Sequence, residues 1–192
     1  MLKLRKGGHR DLQMLYSAME IDFDKRELLP RLSIHRALSR GDQELLVFED
    51  EESRLTLGYA LVLCRGVYGY VLLKYFGILP WYRGQGLGVQ AMRLLHRRYA
   101  EKQGILAELT VFEDEEGAAL RKLRKFFSRF GYEKVPVDCR LGGQEAELLV
   151  KPLRGTAEIA PVARRMVRDL YSRCLGPFSM DRMPEIGEAE ER

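Results

Sequence analysis

The period of the apolar positions changes several times along the chain, and each change marks an element. Over residues 11–19, Leu12, Leu15 and Met19 recur at close to a helical period, which predicts a helix. A second helix is expected over residues 27–39, stopped by Gly41, with residues 21–25 as the loop between the two. Three runs of strand formers follow: QELLVF at 43–48, LTLGYALVLC at 55–64 and YGYVLLKYFGIL at 68–79. Short turns join them, so the prediction is an antiparallel meander, with Gly58 read as a bulge and Pro80 as the stop of the third strand.

Helical spacing returns over residues 87–102. Leu87, Ala91, Leu94, Leu95 and Tyr99 share one face, Gln90, Arg93, Arg97 and Glu101 the other, and Gly104 ends the run. ILAELTVF at 105–112 is again a strand. Strand, glycine turn, helix and strand make a βαβ unit, which implies a parallel pair and a right-handed crossover. The next helix is expected over 115–130, capped by Asp114 and stopped by Gly131, with an apolar stripe of Leu120, Leu123, Phe126, Phe127 and Phe130. Its acids lead and its bases follow, the order that complements the helix dipole. Strands at 132–137 and 145–150 flank a turn at 141–143, and a last helix is expected over 158–175. The fold class is α/β: one domain over residues 1–175 with a mixed, mostly antiparallel sheet and flanking helices, followed by a flexible acidic tail, residues 176–192.

Composition adds bounds. The 192 residues are 46% hydrophobic and 31% charged, which is ordinary for a soluble globular domain with one well-buried core. No apolar run approaches the roughly 20 residues of a membrane span. The N-terminus lacks a signal-peptide core, so a cytoplasmic protein is expected. Cys64, Cys139 and Cys174 are scattered, as are His9, His35 and His96. No metal-ligand spacing links them, and buried thiols in a reducing compartment are the expectation. The net charge of +4 suits an anionic ligand. The run RKLRKFFSR at 121–129 interleaves cations with aromatics, as RNA-binding segments do. Its aromatics fall on the helix's apolar stripe, however, so a solvated basic face is the better reading and nucleic acid is not the expected partner.

The stretch WYRGQGLGVQAMRLL at 81–95 carries the chemistry. A Walker loop needs a lysine after its glycines, and none is there. A dinucleotide fingerprint needs a third glycine where Val89 stands. What remains is R-x-x-G-x-G, formed by Arg83, Gly86 and Gly88 between a strand end and a helix start. Unpaired N–H groups at a helix N-terminus, glycines that let backbone approach closely, and a fixed cation together suit a pyrophosphate.

In this setting RGQGLG resembles the acetyl-CoA signature of the GNAT superfamily of N-acyltransferases. The order of elements over residues 9–150 resembles that fold as well, and FFSRFGYEKV at 126–135 resembles the end of its fourth helix. The resemblance implies acetyl-CoA as co-substrate and no metal. Arg83 and the amides of Gly84, Gln85, Gly86, Leu87, Gly88 and Val89 would hold the pyrophosphate. The backbone of Phe76, Gly77 and Ile78 would hold the pantetheine arm, and the central parallel strands would splay to admit the thioester. The acceptor would be a primary amine of a small molecule or a protein, and the chain a monomer or homodimer. In this fold the first two helices and the last strand pair select the acceptor. Glu20, Asp22 and Asp24 there either attract a cationic amine or form only a polar loop.

Acyl transfer to an amine needs a proton acceptor, and Glu108, a carboxylate inside the strand ILAELTVF, is the candidate base. Its alternative role is as ion partner of a Lys or Arg on the neighbouring helix. An amide near Ile78 could stabilise the oxyanion. For the departing thiolate the resemblance implies a tyrosine acid at the position of Phe127, which cannot donate a proton. Tyr132 is the substitute candidate acid, and Tyr75 is also available. Phe127 motivates a second reading, a non-catalytic module that binds acyl-CoA as a sensor or docks a partner.

Overall fold

The computed structural model describes residues 1–110, 118–175 and 182–189. Its strands are β1 (Leu2–Lys6), β2 (Gln43–Asp50), β3 (Thr56–Leu63), β4 (Tyr70–Ile78), β5 (Gly104–Thr110), β6 (Glu133–Lys134), β7 (Val137–Leu141), β8 (Gln144–Pro152) and β9 (Glu185–Ala189). Its helices are α1 (His9–Asp22), α2 (Arg31–Arg40), α3 (Leu87–Arg98), α4 (Ala118–Ser128) and α5 (Ala160–Cys174). One sheet orders the strands β1-β2-β3-β4-β5-β8-β7-β9, with β6 added beside β8. The pair β4 and β5 is parallel and the other pairs are antiparallel, which is the mixed α/β sheet the sequence implies.

Each face of the sheet buries its own core, as alternation along a strand requires. Met19 of α1, Ile34 of α2 and Met166 of α5 pack on the face that carries Tyr59, Leu61 and Leu72. Met92 and Leu95 of α3 and Leu120 and Phe127 of α4 cover the face that carries Val62, Val71 and Ala107. No helix among the described residues is long and apolar enough to cross a membrane.

One irregularity positions everything that follows. Leu61 of β3 pairs with Tyr75 of β4, but Val62 pairs with Leu73, so Lys74 is an extra residue on β4. Such a bulge bends its strand. The ladder between β4 and β5 ends at the same level, with Leu73 opposite Ala107 as its last pair. Beyond that point β4 continues against β3 alone and β5 against β8 alone, so the two parallel strands diverge.

Two prolines redraw the expected elements. The helix expected over 27–39 starts only at Arg31, because Pro30 occupies its N-cap, and residues 25–28 form a turn instead. Pro136 cannot donate to a ladder, and the strand expected over 132–137 is split into β6 and β7. Residues 2–6, for which no element was expected, form edge strand β1 on β2. Residues 185–189, inside the expected tail, form β9 against β7. The cap at Asp114, the residues 115–117 expected as the start of α4, the end of the strand expected to run to residue 112, and residues 176–181 and 190–192 of the expected tail lie outside the described residues.

Candidate active site

The divergence of β4 and β5 opens a cleft of about 700 Å³. Phe76, Gly77 and Ile78 of β4 line one side, Glu108, Leu109 and Thr110 of β5 the other, and Leu123, Phe126 and Phe127 of α4 one wall. Arg83, Gly84 and Gly88 of the glycine loop line it too, as do Glu27 and Asp22, the latter ion-paired with Arg83. The structure therefore gathers seven of the expected site residues, Phe76, Gly77, Ile78, Arg83, Gly84, Gly88 and Glu108, around one space, together with Phe127. Gln85, Gly86, Leu87 and Val89 are not in its lining, but they continue the same loop and first helical turn.

The glycine loop has the backbone its sequence requires. Gly84 and Gly86 lie in the left-handed region, at φ of 78° and 74°, and Gly86 is the N-cap of α3. No atom lies within 4 Å of where their Cβ atoms would be, so the conformation, not crowding, selects glycine at both. Gly88 differs: a Cβ there would meet the Phe126 ring at 3.7 Å, an ordinary contact. No acceptor among the described residues takes the amides of residues 84–88, whereas Val89 N–H donates to Gly86 O. These free donors at a helix start fit a pyrophosphate.

Along β4, Leu79 N–H donates to Leu57 O, on the β3 side. Ladder groups alternate, so Ile78 and Phe76 present their backbone groups away from β3, toward the gap. Ile78 O accordingly accepts from Arg83 Nε at 2.8 Å. A pantetheine arm, an extended chain of amides, fits such an open strand edge.

Glu108 is held more firmly than its sequence position suggests. Its Oε2 accepts from Lys74 Nζ at 3.0 Å and from Tyr171 OH at 2.6 Å, while Oε1 has no partner among the described residues. The ion partner comes from the adjacent strand and not, as the alternative reading supposed, from a helix. Burial, then the Glu108 charge, pushes the Tyr171 phenol far above its ordinary range, so it stays a donor.

The structure does not bring Tyr132 to the cleft. Its ring packs against Phe127 at 5.0 Å, and its hydroxyl lies 3.4 Å from His96 Nε2 and 3.8 Å from Met92 Sδ, in the core between α3 and α4. Burial pushes its phenol well up, which also disfavours proton release. The expectation of Tyr132 as acid is therefore corrected, since the side chain points into packing. Tyr75 is also committed: its hydroxyl donates to Glu27 O at 2.9 Å and accepts from Leu29 N–H at 2.7 Å.

Of the three acids flagged near the first helices, Asp22 lines the cleft and Asp24 and Glu20 do not. Asp24 pairs with Arg26, and that bond holds its carboxyl down to about 2. Glu27 lines the cleft too; its Oε2 accepts from Thr110 Oγ1 at 2.5 Å and its Oε1 from Asp24 N–H at 3.2 Å. Sequence reading missed it by giving residue 27 to a helix, and Pro30 was the signal against that. Lys74 was missed as well, though a cation inside YVLLKYFGIL is as out of place as Glu108 inside ILAELTVF. Among the described residues no group of three or more His, Cys, Asp or Glu is placed to hold a metal.

A model of the acetyltransferase (GNAT) family matches residues 11–132, more than half of the chain. No curated protein matches it by sequence. Among solved structures, the spermidine N-acetyltransferase of Vibrio cholerae in complex with CoA and spermine superposes with a TM-score of 0.61 at 10% identity, over 79% of this chain and 95% of that one. A protein of Desulfovibrio desulfuricans assigned to the GNAT family superposes with a TM-score of 0.61 at 14% identity, over 80% and 99%. At these identities the likeness is one of fold.

Proposed function

The chain belongs to the GNAT acetyltransferase family, and we propose that it transfers the acetyl group of acetyl-CoA to a primary amine. The observation that carries this reading is the row of unpartnered amides at residues 84–88, of which Gly84 and Gly88 line the cleft between β4 and β5. The CoA and spermine named in the Vibrio cholerae complex support a CoA donor and an amine acceptor.

In this account the amides of residues 84–88 and Arg83 bind the pyrophosphate, with Lys122 at the cleft wall as a further cation. The pantetheine arm extends along the free edge of Phe76 and Ile78, against the apolar surface of Phe126 and Phe127. The thioester carbonyl then reaches the level of Lys74 and Glu108, where the strands part. A backbone N–H of that edge stabilises the oxyanion. Glu108 takes the proton of the attacking amine. Phe127 donates nothing, so the thiolate leaves without an acid, which a thiol of pKa about 8.5 tolerates.

One observation favours a second reading. Glu108 is bound on Oε2 by Lys74 and Tyr171, and Phe127 fills the acid position, which would suit a module that binds acyl-CoA and does no chemistry. Mass analysis of an amine mixture incubated with the protein and acetyl-CoA separates the two: an acetylated amine supports the transferase, and CoA binding without product supports the module.

A further inference from the structure

Arg83, the cation of the donor site, is engaged by groups of the chain itself. Its Nη2 lies 2.5 Å from Asp22 Oδ1 and its Nε donates to Ile78 O at 2.8 Å. Asp22 is the last residue of α1, and its Oδ2 accepts from Tyr59 OH at 2.8 Å. The carboxylate reaches across β4 because residue 77 is glycine. A Cβ there would stand 2.8 Å from the Tyr59 ring and 2.9 Å from Asp22 Oδ2. Both groups that Arg83 occupies or carries, its own charge and the Ile78 backbone, are ones the donor requires.

We propose that Asp22 couples the two substrates: it holds Arg83 until the donor pyrophosphate draws the guanidinium away, and its carboxylate then binds the cationic acceptor amine. The proposal rests on the acetyltransferase reading above. The charges around the cleft fix its direction. Glu108 is paired with Lys74 and Glu27 with Thr110, neither of them a group of the glycine loop, whereas the cation paired with Asp22 is Arg83 of that loop. The position at the C-terminus of α1 also favours a cation there. Independently, Glu108 lines the same cleft, is 1% exposed, and leaves Oε1 without a partner among the described residues, a second acceptor for an ammonium group. Donor binding therefore raises acceptor affinity, and by linkage the acceptor raises donor affinity by the same factor.

Calorimetric titration with CoA tests this without turnover. Asp22→Asn keeps an acceptor for Tyr59 and releases Arg83, so it is expected to bind CoA about fivefold more tightly than wild type or better. Asp22→Glu should stay near wild type. Asp24→Asn, which removes an equal charge outside the cleft, should leave CoA affinity unchanged. A lesion that merely loosened the fold would weaken CoA binding. Equal or weaker binding by Asp22→Asn with a wild-type melting temperature overturns the proposal. If neither protein binds CoA, it is the donor-site reading that fails. Should Asp22→Asn not fold, the wild-type protein decides: 1,4-diaminobutane is expected to bind when CoA is present and about fivefold or more weakly when it is absent. Equal affinity in the two titrations, or none in either, overturns the coupling.

Discussion

Lys74 Nζ lies 3.0 Å from Glu108 Oε2 with both side chains 1% exposed, at the level where β4 and β5 part. The bulge that bends β4 is Lys74 itself, so one residue both opens the cleft and supplies the ion partner of its candidate base. Leaving one member of a buried pair uncompensated costs about 3–5 kcal/mol, whereas replacing both by apolar side chains is often neutral.

Glu108→Gln is accordingly expected to lower stability by about 3–5 kcal/mol and turnover by about a hundredfold or more, with CoA affinity unchanged. The double variant Lys74→Met with Glu108→Leu should recover most of the stability and none of the turnover. Denaturant titration and steady-state kinetics on the same preparations check both. Recovery of turnover with stability would leave Glu108 a purely structural role.

Gly84→Ala and Gly86→Ala should each cost about 1–2 kcal/mol, because an L side chain must enter the left-handed region, and both should weaken CoA binding. Gly88→Ala is not strained in this way, and its Cβ would meet Phe126 only at ordinary contact distance. It should fold nearly as well as wild type. Thermal melts with and without CoA distinguish the three.

Phe127→Tyr returns a phenol to the cleft wall. If thiolate departure limits the rate, turnover is expected to rise by about tenfold or more, with CoA affinity unchanged. An unaltered rate would mean that the acid is dispensable here.

His96 sets an acid limb on stability. Burial is the main cause that holds its imidazole down to about 4, against 6.5 for a free side chain. The unfolded chain takes up this proton first, so the contribution is complete above pH 6.5 and falls progressively toward pH 4. The Asp24 carboxyl, held near 2 by Arg26, adds its loss only below 3.8. A melting-temperature profile should therefore flatten between these limits of His96 in His96→Gln, and keep its steeper loss at lower pH.

Much of this was legible before the structure. RGQGLG between a strand and an amphipathic helix pointed to the donor side because phosphate recognition by backbone is written in glycine spacing. Glu108 stood out because a carboxylate has no business in an apolar strand. What was hidden depends on contacts distant in sequence. The bond of Asp22 to Arg83 joins residues on α1 and the glycine loop, and no local pattern announces it. Glu27 was concealed by reading helical periodicity through Pro30. Tyr132 looked available because sequence says which groups exist but not which way they point, and here its hydroxyl is turned toward Met92 and His96. Strand β9 escaped because EIGEA carries little strand propensity, and only the open edge of β7 gives it a partner.

The central claim, acetyl transfer at the cleft between β4 and β5, is tested most directly by following free thiol with time when the protein meets acetyl-CoA and a panel of primary amines. The account predicts thiol release above the background without amine for at least one member, reduced by about a hundredfold or more in Glu108→Gln. A protein whose melting temperature rises with CoA but which releases no thiol above background with any amine would contradict it.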